Sequence, residues 1–555
     1  MALTTMPAIW MTNLINWVAG NPAWSVAILL VPALLAASFA PRLRRRAGYR
    51  WALAIVSGAG ILLYAQVVVS NCRAPQFDDH IEPQVAAVGY LLMNGVPIYQ
   101  PPGAAVQYTM VYGPFTYLSV DAYYWLMGPS IFAAKLSGAV SALAGVALLL
   151  WALKRIGTWW TALACTGLAT ALYYTFGTQS FWCRADSHEV FMVSLGLLAL
   201  TLVNPWAAAA LVGISAGICI NLKFTAAAYY LPIGTAFILR YRRAGPAALA
   251  VAVSIAAAAA PFLLPAISLE NYLAWVREVS HHPLSAIELR NTLSFAGWMA
   301  GLLLILGFPS IWSKGASEAR AVREWYWTAA GLGGAMLITL PFASKEGAGS
   351  HHLMPLVPIL MWLVARAWSI GNSKEPTEAA PRLTMRHLLV VPVLVVSMFY
   401  AGAGGYVIGT NPWTYNRLFV ALLIDLRRIQ DATSGHTVEM GVGGDQSYFL
   451  TNERPVLVFA GNPYHLDAAA AMDSAEAQDG LPAATADLCR SGLADFVLIP
   501  RGDAPFTMAS WYPGHAPVFS PEFVRAFHDN YRIRFSSIFF DVYGRKPIAS
   551  ADLAH

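Results

Sequence analysis

The chain has 555 residues, 57% of them hydrophobic and only 12% charged, with a net charge of +5. About a quarter of an ordinary soluble domain is charged, so this composition excludes a soluble globular protein and implies repeated crossing of a bilayer. The basic residues are scattered over short loops rather than gathered on one face, which gives nucleic acid no footing.

Apolar runs predict spans at 23–41, 51–70, 131–153, 158–176, 189–203, 205–221, 225–240, 245–266, 293–312, 325–343, 351–370 and 388–408, about twelve in all. Residues 1–41 hold no Lys or Arg, so the basic stretch of a cleaved signal peptide is missing. Lys and Arg concentrate in 42–50, 153–157, 239–245, 313–325 and 372–387, which is every second loop. Positive loops stay cytoplasmic. The segments 71–130, 177–188, 267–292, 344–350 and 409–555 then face the exterior or periplasm.

The first of these outer segments opens with Asp78, Asp79, His80 and Glu82. After Glu82, Val85, Val88, Leu91 and Leu92 share one face, which predicts a short helix lying in the membrane interface and ending at Asn94-Gly95. Carboxylates at its start suit the positive end of the helix dipole, and simple capping would account for them taken alone. Tyr112-Gly113-Pro114 marks a turn in an aromatic-rich return to the membrane.

Further charges map to the same side. Arg184, Asp186, His188 and Glu189 precede one span; Lys223 ends another; Lys345, Glu346, His351 and His352 precede a later one. Arg277, His281, His282 and Arg290 lie in a polar loop. Lys223 and Lys345 run against the charge rule. An ionisable group near membrane depth marks function unless it snorkels to the interface. One set of carboxylates and one set of cations suits a lipid-linked phosphate, with the cations on the phosphate and a carboxylate taking a proton from an incoming hydroxyl. The His pairs could ligate a divalent metal, but no third ligand stands at a recognisable spacing, so the sequence leaves a metal open without indicating one and assigns no other cofactor. The five cysteines show no metal-ligand spacing, although Cys72 and Cys183 share a side and could pair.

After about 409 the composition changes. Residues 437–444, 454–461, 494–502 and 533–546 predict short strands, and 465–478 and 521–531 predict helices. This reads as a small extracytoplasmic α/β domain over 409–555, following a transmembrane domain over 1–408. The glycine-rich "GVGGDQ" lacks the spacing of a nucleotide site.

These residues resemble the GT-C superfamily of polyprenyl-phosphate-sugar-dependent membrane glycosyltransferases, of the protein O-mannosyltransferase, aminoarabinose transferase and arabinosyltransferase kinds. The resemblance rests on Asp78-Asp79 after an early span, on "NGVPIY" (94–99) leading to "YGPFTYL" (112–118), on "CRADSHEVF" (183–191), and on "SKEGAGSHHLMPLVP" (344–358). It covers about 70–360. It implies a mainly α, polytopic helical bundle whose partners are the bilayer, a polyprenyl-phosphate sugar and a glycan, lipid or protein acceptor, in a bacterial inner membrane. Asp78 or Asp79 would be the base, Asp186 and Glu189 a second acidic site, and Arg184, Lys223 and Lys345 the phosphate cations. Glu82, Tyr112, His351 and His352 would be substrate contacts. The chain departs from the family in having two spans before the acidic loop, Arg184-Ala185-Asp186 in place of Arg-Pro-Asp, and Asp-Asp where Asp-Glu is common. A transporter or flippase of an anionic or lipid-linked substrate is the competing reading. It would call for ionisable groups at the midplane and paired helical repeats, which the sequence does not display.

Overall fold

A computed structural model describes residues 48–312, 318–371, 412–478 and 480–547. The expected spans at 23–41 and 388–408, and the basic stretches 42–47, 313–317 and 372–387, lie outside these residues. In chain order the helices are α1 (Gly48–Arg73), α2 (Ile81–Met93), α3 (Pro114–Met127), α4 (Ile131–Ile156), α5 (Trp159–Tyr174), α6 (Ala185–Ala199), α7 (Pro205–Leu222), α8 (Tyr230–Tyr241), α9 (Ala244–Ala259), α10 (Leu269–Val279), α11 (Ala286–Leu302), α12 (Phe308–Trp312), α13 (Ala319–Ala343), α14 (Val357–Gly371) and α15 (Pro412–Ala432). There follow β1 (Val438–Met440), α16 (Pro455–Phe459), α17 (Ala468–Gln478), α18 (Ala483–Ser491), β2 (Phe496–Pro500), α19 (Pro521–Asn530), β3 (Tyr531–Ser536) and β4 (Phe540–Arg545).

Among the described residues, six helical segments are long and apolar enough to cross a membrane: Leu53–Arg73, Ile131–Ile156, Pro205–Leu222, Ala244–Leu263, Ala286–Trp312 and Ser350–Gly371. They coincide with the expected runs at 51–70, 131–153, 205–221, 245–266, 293–312 and 351–370. The runs at 158–176, 189–203 and 225–240 are helical but short, at 16, 15 and 12 residues for α5, α6 and α8. Local signals cut them. The Thr158 side chain caps α5 by accepting from Thr161 N–H at 3.2 Å, and Asn204 and Pro205 restart the chain as α7. The run at 325–343 sits on α13, which begins with Arg320, Arg323 and Glu324.

The packing forms two compact units. The first comprises the described residues of Met1–Cys72, Gly138–Ala260 and Leu284–Asn411. In it α7 packs directly on α9. A Cβ on Gly213 would lie 2.6 Å from the Ala250 carbonyl oxygen, and one on Gly217 would lie 2.6 Å from the Ala257 Cβ. Small residues four apart let two backbones touch, and that contact replaces the hydrophobic drive that lipid removes. Elsewhere in this unit the Arg320 guanidinium donates to the Arg240 carbonyl at 3.4 Å, so the start of α13 meets the end of α8. The Ser369 hydroxyl donates to the Ile156 carbonyl at 2.6 Å, which brings loop 153–157 against the end of α14. All five cysteines are buried thiols, so Cys72 and Cys183 do not form the disulfide the topology allowed.

The second unit comprises Arg73–Ser137, Pro261–Pro283 and the described residues of Pro412–His555. Its sheet runs in the order β1-β2-β4-β3, with β1 parallel to β2 and the other pairs antiparallel. Alternation sorts the faces. Leu498, Val542, Val438 and Phe540 pack with Phe419, Leu422 and Leu426 of α15. Val497, Ile499 and Tyr543 pack with Met472 of α17 and Phe523 and Phe527 of α19. The first large loop joins this core. Gln107 donates its N–H to the His465 carbonyl and its carbonyl accepts from Asp467 N–H, both at 2.7 Å. Asn271 donates to the Tyr99 carbonyl at 2.9 Å, and the Trp275 indole to the Gln100 carbonyl at 2.6 Å.

Two local expectations are overturned. Residues 454–461 are not a strand but carry α16, because Pro455 sits at its first position and a short apolar run has no period to separate strand from buried helix. Helix α2 does not present a polar face to a membrane interface. Ile81 through Gly89 are all buried, with the Tyr124 hydroxyl on the Ala86 carbonyl at 3.0 Å and Gly89 against Val120. Its end at Asn94, with Gly95 at a φ of 74°, is as the sequence predicts.

Replacing Gly217 with Val should force α7 from α9 and cost about 1–3 kcal/mol. A lower thermal midpoint in detergent checks this, against Gly333→Ala, where a Cβ meets nothing within 4 Å.

Candidate functional site

The first unit holds a buried charge cluster whose backbone is set by its neighbours. Gly177 turns the chain at a φ of 58°, and a 3-10 turn carries it to Ser180. The Tyr64 hydroxyl donates to the Ser180 carbonyl at 3.1 Å. Gly138 of α4 lies under the Trp182 carbonyl, where any Cβ would collide. The Ser187 hydroxyl donates back to that carbonyl at 3.0 Å. Arg184 is then the residue before α6, and Asp186 falls in the first helical turn, where the dipole favours a carboxylate.

Asp186 is fully buried. It accepts from Lys223 Nζ at 2.6 Å and from the Trp182 indole at 3.1 Å, with Arg184 Nε at 3.5 Å and His351 Nε2 at 3.9 Å. The Arg184 guanidinium also stacks over the Trp182 ring at 3.9 Å. Lys223 reaches in from the end of α7, where the backbone turns extended. One turn further along α6, Glu189 is fully buried and neither carboxylate oxygen has a hydrogen-bond partner. The His352 ring lies 4.8 Å from His351, and its carbonyl accepts from the Tyr229 hydroxyl at 2.7 Å. The structure thus brings Arg184, Asp186, Lys223 and His351 together. Lys345 is half-buried and its backbone bridges to Leu284.

The second unit holds the acidic loop. The Asp79 carboxylate accepts from Ile81 N–H and so starts α2. Glu82 is fully buried and accepts from Asp78 N–H at 3.4 Å. Asp78 is the more open of the pair, its side chain 28% exposed against 13% for Asp79. It lies 3.8 Å from Lys135 Nζ, a buried ammonium that also donates to the Gln76 carbonyl at 2.7 Å. Tyr112 is buried, its carbonyl accepting from the Tyr99 hydroxyl at 2.6 Å. The His80 ring meets Trp511 edge-on at 4.6 Å, and Trp511 meets Tyr448 at 5.1 Å.

Sequence reasoning missed Lys135, Glu453, Arg454, Tyr448 and Trp511. Lys135 did leave a signal, as a lone cation inside the apolar run 131–153. The others are far along the chain and carry no motif. Glu453 is fully buried beside Phe77 N–H, Lys135, Asp78 and Arg454, and burial pushes its carboxyl up to about 8. Among the described residues, no three His, Cys, Asp or Glu side chains gather as metal ligands.

No family model matches the chain, and no curated protein matches it. Among solved structures, it is similar to ArnT from Cupriavidus metallidurans bound to undecaprenyl phosphate. The TM-score is 0.55 at 15% identity, over 89% of this chain and 98% of that one. The apo form of the same protein aligns with a TM-score of 0.52 at 15% identity, over 90% and 98%. A likeness spanning almost all of both chains shows that this chain has the GT-C fold.

Asp186→Asn leaves Lys223 and Arg184 buried against a neutral amide, and should cost about 3–5 kcal/mol. A fall in thermal midpoint larger than that of an exposed control, Asp487→Asn, checks it. Glu453 binds its proton more tightly folded than unfolded. Its contribution to stability is therefore full below about pH 4.5 and is lost as pH rises through about 8. Glu453→Gln should flatten stability against pH across that window, measured by thermal unfolding in detergent.

Proposed function

We propose that the chain is an integral membrane glycosyltransferase that moves a sugar from a polyprenyl-phosphate donor to an acceptor hydroxyl, with its chemistry on the extracytoplasmic side of a bacterial inner membrane. The observation that carries this reading is the pair of buried cations, Arg184 and Lys223, gathered on Asp186 in a fold whose relative was solved with undecaprenyl phosphate. Burying two cations is costly unless an anion is to be met, and charge-assisted contacts to phosphate are among the strongest available.

In this reading Arg184, Lys223 and Lys345 compensate the phosphate, with His351 and His352 as nearby donor contacts. Glu189 and Asp186 form the second acidic site. Asp186 is already committed to its cations, so the unbonded oxygens of Glu189 are the groups left to accept from a sugar hydroxyl. Asp78 is the base. It takes the acceptor proton, the acceptor oxygen bonds to the anomeric carbon, and the bond from that carbon to the phosphate oxygen breaks with its electron pair leaving on polyprenyl phosphate. Single displacement inverts the anomeric centre. The leaving group needs no proton, so positioning and charge compensation supply most of the rate. Asp78 is favoured over Asp79 because the latter caps α2 and is less exposed. The contact of Arg320 with the Arg240 carbonyl, between two basic stretches, supports a common cytoplasmic side for them.

Transfer from a panel of polyprenyl-phosphate sugars to hydroxyl acceptors, followed by mass spectrometry of the product, tests this. Asp78→Asn should lower kcat about 10²–10⁴-fold with the fold retained, whereas Asp79→Asn should act mainly on thermal stability. Transfer at the wild-type rate by Asp78→Asn rejects Asp78 as the base. Movement of a lipid-linked substrate across vesicles without product would point to transport instead.

A further inference from the structure

The segment that carries Asp78 and Asp79 has no regular structure of its own between Ala74 and His80. Such a stretch would ordinarily wander by ångströms, yet its backbone groups are held by side chains from elsewhere. Lys135 takes the Gln76 carbonyl at 2.7 Å. The Glu453 Oε1 accepts from the next residue, Phe77 N–H, at 3.3 Å. Arg454 donates to the His80 carbonyl at 2.8 Å. Two adjacent residues of the C-terminal region thus grip the segment on either side of the aspartates, more than 370 residues away in sequence.

The grip is itself anchored. Arg454 pairs with the buried Asp467 and donates to the Tyr464 hydroxyl at 3.3 Å. The Asp467 N–H donates to the Gln107 carbonyl at 2.7 Å, back in the first loop. Glu453 ends a 3-10 turn, and Pro455 opens α16 directly after Arg454, which stiffens both flanks. Glu453 is also an expensive way to hold one amide. It is fully buried, and its second oxygen has no hydrogen-bond partner. A buried carboxyl with one weak partner destabilises a fold, so its place beside Asp78 and Lys135 calls for a use.

We infer that Glu453 and Arg454 are positioning residues through which the C-terminal region holds the Asp78 carboxylate in register for catalysis. This rests on the proposed transferase reading for its catalytic half and on the geometry alone for its structural half. It gives the C-terminal region a role in the rate of reaction, apart from any role in acceptor choice. A base displaced by about 1 Å loses much of its effect, so the hold is worth about a hundredfold at most.

The test uses the full-length protein in detergent or nanodiscs with two variants, Glu453→Ala and Glu453→Gln. Gln keeps an oxygen for Phe77 N–H, so it separates the hold from mere volume. Hydrogen–deuterium exchange of peptides covering 74–82 should quicken about tenfold in the Ala variant, with β2 and β4 unchanged. The kcat should fall about tenfold or more, with donor and acceptor KM within about threefold of wild type. Gln should restore most of both. Unchanged exchange over 74–82 in Glu453→Ala, or a Gln variant no better than Ala, overturns the inference. If the wild type transfers no sugar from any polyprenyl phosphate, the transferase reading fails and the exchange measurement alone decides whether the hold exists.

Discussion

Asp186, Arg184 and Lys223 hold one another out of water, and no member can be buried without the others. A lone ammonium or carboxylate at that depth would cost several kcal/mol. Together, with Trp182 supplying an indole N–H and a ring face, they become tolerable. The surrounding backbone is arranged to bring them within reach. Gly138 admits the Trp182 carbonyl, Ser187 ties it down, and the end of α7 aims Lys223 inward. The glycines at 213 and 217 act one step further out by letting α9 lie directly on α7. Packing of small residues thus sets where a cation stands, and the cation sets what the site can bind.

The second unit solves a different problem. Its aspartates sit on a loop, and a loop cannot place a carboxylate unless other groups replace the missing ladder of hydrogen bonds. Lys135, Glu453 and Arg454 do so at Gln76, Phe77 and His80. The sheet's two faces are covered by α15 on one side and by α17 and α19 on the other.

Much of the helical arrangement was legible, because span signals are local. Apolar runs, a Thr or Asn cap and a proline each act within a few residues, and α7 begins at Pro205 as the sequence predicts. The charged motif at 184–189 was legible for the same reason, since ionisable groups beside an apolar run stand out. The 454–461 run misled because four apolar residues have no period long enough to separate strand from helix. Helix α2 misled because its partners, the Tyr124 hydroxyl on the Ala86 carbonyl and Val120 against Gly89, come from residues past the loop's turn.

Composition and charge pattern by themselves determined that the chain enters lipid, roughly where, and which residues are too polar to be there without a purpose. Those are one-body properties, set by each segment's own transfer energy. Only the tertiary structure decided that Asp186 and not Glu189 takes the cations, and that Glu453 and Arg454 close around Phe77 and His80. These are pair properties between residues tens to hundreds of positions apart, and no local pattern in a chain records which of its distant groups will be brought within 3 or 4 Å.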